Sequence, residues 1–241
     1  MIMANERKRV FIVDTDALYT RMFLKREWEI VDSIYDADLV QFTGGEDVSP
    51  SLYGVARHPQ TFDNPARDKR EQEIWELAQE LGLPVAGICR GGQFINVMNG
   101  GKMWQHVDNH GISGGHIANL AGPIGHVVVS STHHQMMIPA ETGEKVILLT
   151  ANESTLKETM HDKLLVRRHV NKDHPDDDIE AIYYPETNSL CFQPHPEYTG
   201  FGPCQEVYFY FINNYLMSGG LTANEVETDL YINVLGDTVP F

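Results

Sequence analysis

The fold of this chain turns on one stretch, Pro84-Val85-Ala86-Gly87-Ile88-Cys89-Arg90-Gly91-Gly92-Gln93. Residues 84–88 are apolar, as in a short buried strand, and residues 91–98 can begin a helix directly afterwards. Cys89 therefore lies at a sharp corner, where the flanking glycines leave room for a strained turn and a substrate carbonyl. The helix start also offers unpaired N–H groups that favour a negatively charged sulfur. Taken alone, the motif fits a nucleophile and a small buried core cysteine equally well.

A second motif, far downstream, favours the nucleophile. Gln193-Pro194-His195-Pro196-Glu197 follows the apolar run Leu190-Cys191-Phe192. In an extended segment, residues two apart project to the same side, so Glu197 can reach one ring nitrogen of His195 while the other faces the thiol. A histidine held by a carboxylate can take the proton of a cysteine. Together the motifs predict a catalytic triad of Cys89, His195 and Glu197.

Short apolar runs alternate with helical patterns along the chain. This alternation predicts an α/β fold with a mostly parallel central sheet flanked by helices, and with the catalytic residues at the carboxyl ends of the strands. The patterns predict strands at 9–14, 39–43, 84–89, 126–130, 145–150, 179–184 and 190–193, and helices at 66–81 and 205–216.

Length and composition limit the organisation and the partners. The 241 residues, 42% of them hydrophobic, predict a single domain over residues 1–241, with 219–241 as a C-terminal tail. No run approaches the roughly 20 apolar residues of a membrane helix, and the first residues do not resemble a signal peptide. We therefore expect a cytoplasmic protein that binds no membrane, and the three cysteines suit a reducing compartment. The net charge of −16 argues against nucleic acid as a partner.

Further segments with a chemical character occur in order between residues 8 and 216. They are Thr43-Gly44-Gly45-Glu46-Asp47-Val48 with Pro50 and Tyr53-Gly54, Arg67-Asp68 with Glu71, Ser131 with His133-His134-Gln135, and Glu180-Ala181. With the motifs around Cys89 and His195, they resemble the class I (triad) glutamine amidotransferase superfamily, especially its γ-glutamyl hydrolase-like branch. The resemblance implies a class I glutamine amidotransferase-like (flavodoxin-like) fold.

The resemblance also implies a reaction and its residues. Cys89 would attack the side-chain carbonyl of a γ-glutamyl amide or of glutamine, and water would hydrolyse the resulting γ-glutamyl thioester. The implied oxyanion donors are the backbone N–H groups of Gly45 and Arg90. Arg67, Asp68 and Glu71 are expected to hold the glycine loop and a helix together. The implied substrate-binding residues are Gly44, Gln93, His133 and His134.

Several of these assignments have competing interpretations. Gly44-Gly45 also fits an ordinary turn after a strand. Gln93 could cap the helix or face solvent instead of the substrate. His133 and His134 are adjacent and point in different directions, so at most one of them lines a pocket.

The histidines of the central region raise the question of a metal site. They are His106, His110, His116, His126, His133 and His134. Their spacings match no compact zinc signature, and cysteines at suitable separations are absent. We therefore expect no metal and no other cofactor.

Three functions fit the sequence. The first is a free-standing γ-glutamyl amide hydrolase. The second is a glutaminase subunit that supplies ammonia to a separate synthetase, since the chain carries no nucleotide-binding P-loop of its own. The third, a non-catalytic interaction module, is disfavoured because all three triad residues are present. A homo-oligomer is compatible with each function, and the tail could serve assembly.

Overall fold

The protein is described here by a computed structural model, which covers residues 7–120, 126–141, 149–151, 155–161, 164–170 and 178–218. Its helices are α1 (Ala17–Leu24), α2 (Pro65–Glu80), α3 (Arg90–Met98) and α4 (Gly202–Phe211), with 3₁₀ turns at Ile34–Asp36 and Pro50–Tyr53 and a π-helical turn at Ile212–Leu216. Its strands are β1 (Arg9–Ile12), β2 (Glu29–Ile30), β3 (Leu39–Phe42), β4 (Val85–Ile88), β5 (Lys102–Trp104), β6 (His106–Val107), β7 (Gly111–Leu120), β8 (His126–Thr132), β9 (Met136–Ile138), β10 (Leu149–Ala151), β11 (Thr155–His161), β12 (Leu164–Val170), β13 (Ala181–Tyr184) and β14 (Ser189–Phe192).

The central sheet has the order β13-β14-β4-β3-β1-β2. Each neighbouring pair is parallel except β13 and β14, which form an antiparallel pair at one edge. This confirms the predicted α/β fold with a mostly parallel sheet. Since β3, β4 and β14 are neighbours, the loops that follow their last residues meet at one edge of the sheet, where open α/β sheets bind their ligands.

Helices cover both faces of this sheet. Ala86 and Ile88 of β4 pack into an apolar cluster with α1 and α4, whereas Val85 packs into a second cluster with α2 and α3. The alternation follows from the two-residue period of a strand. All four residues of β4 are buried, which is typical of a parallel strand covered on both faces.

Glycines bring the start of α3 against the sheet. A Cβ atom on Gly91 would lie 2.5 Å from the carbonyl oxygen of Phe42, and one on Gly92 would lie 2.8 Å from the backbone nitrogen of Phe192. Side chains at these positions would push the helix away from β3 and β14. The glycines after Cys89 therefore hold the first turn of α3 at the edge where the loops meet.

Smaller antiparallel sheets lie between α3 and β13 in the sequence. In the described part, β7 pairs with β8 and β10, β11 pairs with β6 and β12, and β5 pairs with β9. The sequence patterns predicted β8 and part of β10, but not β7, β11 or β12. The predicted residues 145–148 and the tail 219–241 lie outside the described residues.

Most predicted elements of the central sheet are confirmed, with shifts of a residue or two. The helix expected at 66–81 begins at Pro65, after Asn64 whose side chain accepts a hydrogen bond from the Arg67 amide. The helix expected at 205–216 begins earlier and ends in a π-helical turn. None of the helices in the described ranges is both long enough and apolar enough to cross a bilayer.

Candidate active site

Cys89 occupies a strained corner between β4 and α3. Its backbone has φ 52° and ψ −114°, a conformation that non-glycine residues rarely adopt. The Cys89 amide donates a 2.7 Å hydrogen bond to the carbonyl of Phe192, which ties the corner to β14. The side chain is half-buried, whereas Cys191 and Cys204 are buried. Strain of this kind is concentrated at functional sites, where the surrounding structure enforces it.

His195 lies beside Cys89 and is held from two sides. Its backbone N–H donates to Ser130 Oγ at 2.6 Å, and its ring Nδ1 is 2.5 Å from Glu197 Oε1. The ring also stacks on Tyr198, with centroids 4.5 Å apart. Burial alone would lower the pKa of His195, but the adjacent Cys89 and Glu197 more than offset it and raise this pKa to about 11. The geometry brings the predicted sulfur, imidazole and carboxylate together.

The Gly44-Gly45 loop follows β3 and lies directly against the triad. A Cβ atom on Gly44 would be 3.2 Å from Cε1 of His195 and 3.7 Å from Cβ of Cys89. The Gly44 N–H donates to the hydroxyl of Tyr19 at 2.9 Å. Gly45 has φ +141°, which side chains rarely adopt, and no acceptor for its N–H lies among the described residues. The loop thus presents the Gly45 amide, not that of Gly44, as an available donor.

Arg67 holds this loop from α2. Its guanidinium donates to the carbonyls of Thr43 and Gly44 at 3.2 and 3.0 Å and to Glu71 at 2.7 Å. Several donors in one rigid plane suit a loop that must keep its position.

Arg90 supports the corner from below. Its buried side chain contacts Asp68 and Glu71 of α2, so both ends of the site share one ion-pair network. Burial, with repulsion from Arg67, lowers the pKa of Arg90 to about 10, although Asp68 opposes this shift. The side chain therefore remains charged at neutral pH, while its backbone N–H lies at the exposed first position of α3.

A cleft opens over these groups. It is lined by Tyr19, Gly44, Gly45, Arg67, His195 and Tyr198, among others. Tyr19, Ser130 and Tyr198 were not predicted as site residues. Tyr19 lies on α1, a helix that the sequence patterns did not reveal, and only Tyr198 had a signal, its place next to the His195 motif.

The other predicted substrate-binding residues are not among those lining the cleft. Gln93 is buried and donates to Gln193 Oε1 at 3.0 Å. His133 is buried, with its Nδ1 2.8 Å from the Gln135 carbonyl. His134 is partly exposed, and its Nε2 lies 3.1 Å from Asp47. Each of these side chains is already engaged with another part of the protein.

The sequence itself places the chain in a family. Residues 20–197 match the model of the family described as Peptidase C26. The chain belongs to the peptidase C26 family. Among its relatives is the "Putative glutamine amidotransferase Rv2859c" of Mycobacterium tuberculosis, 30% identical over 173 residues, which cover 70% of this chain and 52% of the relative. Another is the "Putative glutamine amidotransferase-like protein YvdE" of Lactococcus lactis subsp. lactis, 30% identical over 168 residues, or 67% of this chain and 66% of the relative.

This C26 chain spans about half to two thirds of the length of those relatives. Among solved structures, it is similar to a glutamine amidotransferase from Thermotoga maritima, with 13% identity and a TM-score of 0.53 over 95% of this chain and 97% of that one. It is also similar to a "putative gmp synthase subunit a protein" from Thermoplasma acidophilum, with 14% identity and a TM-score of 0.56 over 86% and 94%. These likenesses confirm the class I glutamine amidotransferase fold.

Proposed function

We propose that this member of the C26 family is a cysteine hydrolase that cleaves a γ-glutamyl amide through a γ-glutamyl thioester. The observation that carries the proposal is the contact of His195 with both Cys89 and Glu197 at the edge of a cleft. A nucleophile, a base in hydrogen-bond contact with it and a carboxylate that orients the base are the parts needed for acyl transfer.

In the first half of the reaction, His195 holds the proton of Cys89, and the sulfur bonds to the side-chain carbonyl carbon of the substrate. The carbonyl π electrons move to the oxygen and give a tetrahedral oxyanion. When this intermediate collapses, the carbon–nitrogen bond breaks and His195 gives its proton to the departing nitrogen. Ammonia or an amine leaves, and a thioester remains on Cys89.

In the second half, water replaces the amine. His195 takes a proton from water as the oxygen bonds to the thioester carbonyl, and the carbon–sulfur bond then breaks. Glutamate leaves, and Cys89 again shares its proton with His195. Glu197 keeps the imidazole oriented through both halves and stabilises its charged form.

Two backbone amides are suited to receive the oxyanion. The Gly45 amide belongs to the loop packed against His195 and Cys89, and the Arg90 amide directly follows the nucleophile. A donor pair made from the residue after the nucleophile and a second loop is the usual arrangement at such corners. Removing one such donor typically costs on the order of 10²-fold or more in rate.

Glutamate release by the purified full chain tests the proposal. The substrates are glutamine and a panel of γ-glutamyl amines, with an α-linked glutamyl amide as the matched negative control and Cys89→Ser as the protein control. We expect release from at least one γ-linked substrate and none from the α-linked one. Turnover that survives in Cys89→Ser would refute the assignment of the nucleophile. Weak glutaminase activity that rises with an added synthetase would instead favour the ammonia-supplying subunit.

A further inference from the structure

A second group of ionisable side chains is buried below the cleft. Three imidazoles surround one carboxylate, and we call them the histidine cluster: His110, His116, His133 and Glu180. Every side chain in the cluster is at most 2% exposed. The proposed reaction uses none of them.

The three imidazoles converge on a single oxygen. Glu180 Oε1 lies 3.4 Å from His110 Nδ1, 3.4 Å from His116 Nε2 and 3.5 Å from His133 Nε2. These separations are too long for good hydrogen bonds. They agree with the distance of about 3.3 Å that separates two ligand atoms in a tetrahedral site with metal–ligand bonds near 2.0–2.1 Å. One ligand atom from each of His110, His133 and Glu180 lies within 4.8 Å of the others.

Several of these atoms have no hydrogen-bond partner despite complete burial. Both ring nitrogens of His116, Nε2 of His133 and both carboxylate oxygens of Glu180 are in this condition. A buried polar atom without a partner costs about 1–3 kcal/mol, and more when it is charged. A cation between the imidazoles and the carboxylate would satisfy the atoms that face one another.

The outer nitrogens of two imidazoles are oriented as in metal ligands. His133 Nδ1 donates to the Gln135 carbonyl at 2.8 Å, so its Nε2 carries the lone pair that faces Glu180. Burial lowers the pKa of His133, which keeps the ring neutral. His110 has Asp178 3.5 Å from its outer Nε2 and faces Glu180 with Nδ1. A carboxylate or carbonyl behind each ligating histidine is the usual outer shell of a metal site.

Other charged groups border the cluster. Lys157 Nζ lies 2.5 Å from Asp178, so that carboxylate already has one cationic partner. Burial opposes a proton on His110, but Asp178 and Glu180 raise its pKa to about 9. The cluster thus attracts a positive charge, which a proton or a metal ion can supply.

We propose that His110, His133 and Glu180 bind a divalent transition-metal ion of the zinc class, with His116 as the nearest further donor. The site is closed and therefore structural. It connects to the triad through short contacts, because the Glu180 carbonyl accepts from the Gln193 amide at 2.7 Å and Ser131, next to Ser130, donates to the His110 carbonyl at 2.6 Å. The ligands come from distant segments, which explains why no compact zinc spacing marks them.

Metal binding by the full chain tests this inference directly. Because the site is buried, the protein is refolded with zinc or cobalt, freed of loose metal and measured by elemental mass spectrometry and visible absorption. We expect about one ion per chain, with the intense visible bands of tetrahedral Co²⁺. Glu180→Gln and His133→Gln should bind at least roughly tenfold more weakly, whereas the neighbouring His134→Gln should retain the metal.

Two outcomes would overturn the inference. A folded wild-type chain that takes up neither ion would show that the cluster holds a proton only. Equal metal affinity in wild type and in Glu180→Gln, with both folded by circular dichroism, would place any bound ion elsewhere. Neither result bears on the triad, since glutamate release is measured separately.

Discussion

The triad and the histidine cluster both set imidazoles against carboxylates, but at different distances. In the triad, His195 Nδ1 lies 2.5 Å from Glu197, and the ring borders an open cleft. In the cluster, imidazole nitrogens stand 3.4–3.5 Å from Glu180, with no opening described. The short contact orients one base toward a thiol, whereas the longer separations leave room for an ion. Similar residue types thus support chemistry in one place and a closed site in the other.

Removal of the triad's sulfur should produce the largest effect. Cys89→Ser replaces the thiol with a hydroxyl that His195 ionises far less readily, so we expect kcat/KM to fall by on the order of 10³-fold or more. Glutamate release measures the loss. Cys204→Ala is the matched control, because its sulfur is buried in the apolar core and should leave kcat unchanged. Equal losses in both variants would remove the distinction between the corner and the core.

Loss of the triad carboxylate should come next. Glu197→Gln keeps the shape but removes the charge that raises the pKa of His195, so we expect kcat/KM to fall by roughly 10²-fold or more. The limb of the pH profile that belongs to the imidazolium should also move to lower pH. The exposed Glu186→Gln serves as the control. An unshifted profile with full activity would mean that Glu197 does not act on His195.

A change in the glycine loop should have an intermediate effect. A Cβ atom at Gly45 would lie 2.1 Å from Arg67 Nη1, and the residue's φ is +141°, so Gly45→Ala must displace the loop. We expect kcat to fall by about 10- to 100-fold if the Gly45 amide receives the oxyanion. In Gly202→Ala nothing obstructs the added methyl group, so that variant should match wild type. Unchanged kcat in Gly45→Ala would exclude this amide as a donor.

An ion pair at the surface should matter least. Arg9 and Asp38 meet at 2.9 Å with side chains 43% and 34% exposed, so Asp38→Asn should lower the free energy of unfolding by only about 0.2–1 kcal/mol. The hydrogen bond from Arg9 lowers the pKa of Asp38, although burial opposes it. The contribution is therefore complete above the unfolded pKa and is lost as pH falls through the lower folded value. Urea unfolding at pH 7 and at pH 3 should show a difference only at pH 7.

The triad could be predicted because local rules act at each of its parts. A strand-to-helix corner marks Cys89, and a two-residue spacing in an extended segment places Glu197 beside His195. The central sheet was predictable for the same reason, since its strands are short apolar runs between turns. The class I fold and the family follow from the same motifs and are confirmed.

The remainder depends on contacts between distant segments. The Tyr19 hydroxyl reaches the Gly44 amide from a helix with a weak apolar pattern, and Ser130 reaches His195 across 65 positions. His133 lies in a motif that suggested a pocket, yet its ring faces the buried Glu180. No local period encodes such meetings, because they arise when β7, β8 and β13 come together in the folded chain. The smaller sheets were missed for the same reason.

The most direct test of the central claim is to locate the acyl group during turnover. The chain is mixed with a γ-glutamyl substrate, quenched in acid within the first turnover and digested, and the peptides are mapped by mass spectrometry. The account predicts a γ-glutamyl adduct on the peptide that contains Cys89, labile to hydroxylamine as a thioester is. An adduct on Cys191, Cys204 or another side chain, or turnover with Cys89 unmodified throughout, would contradict it.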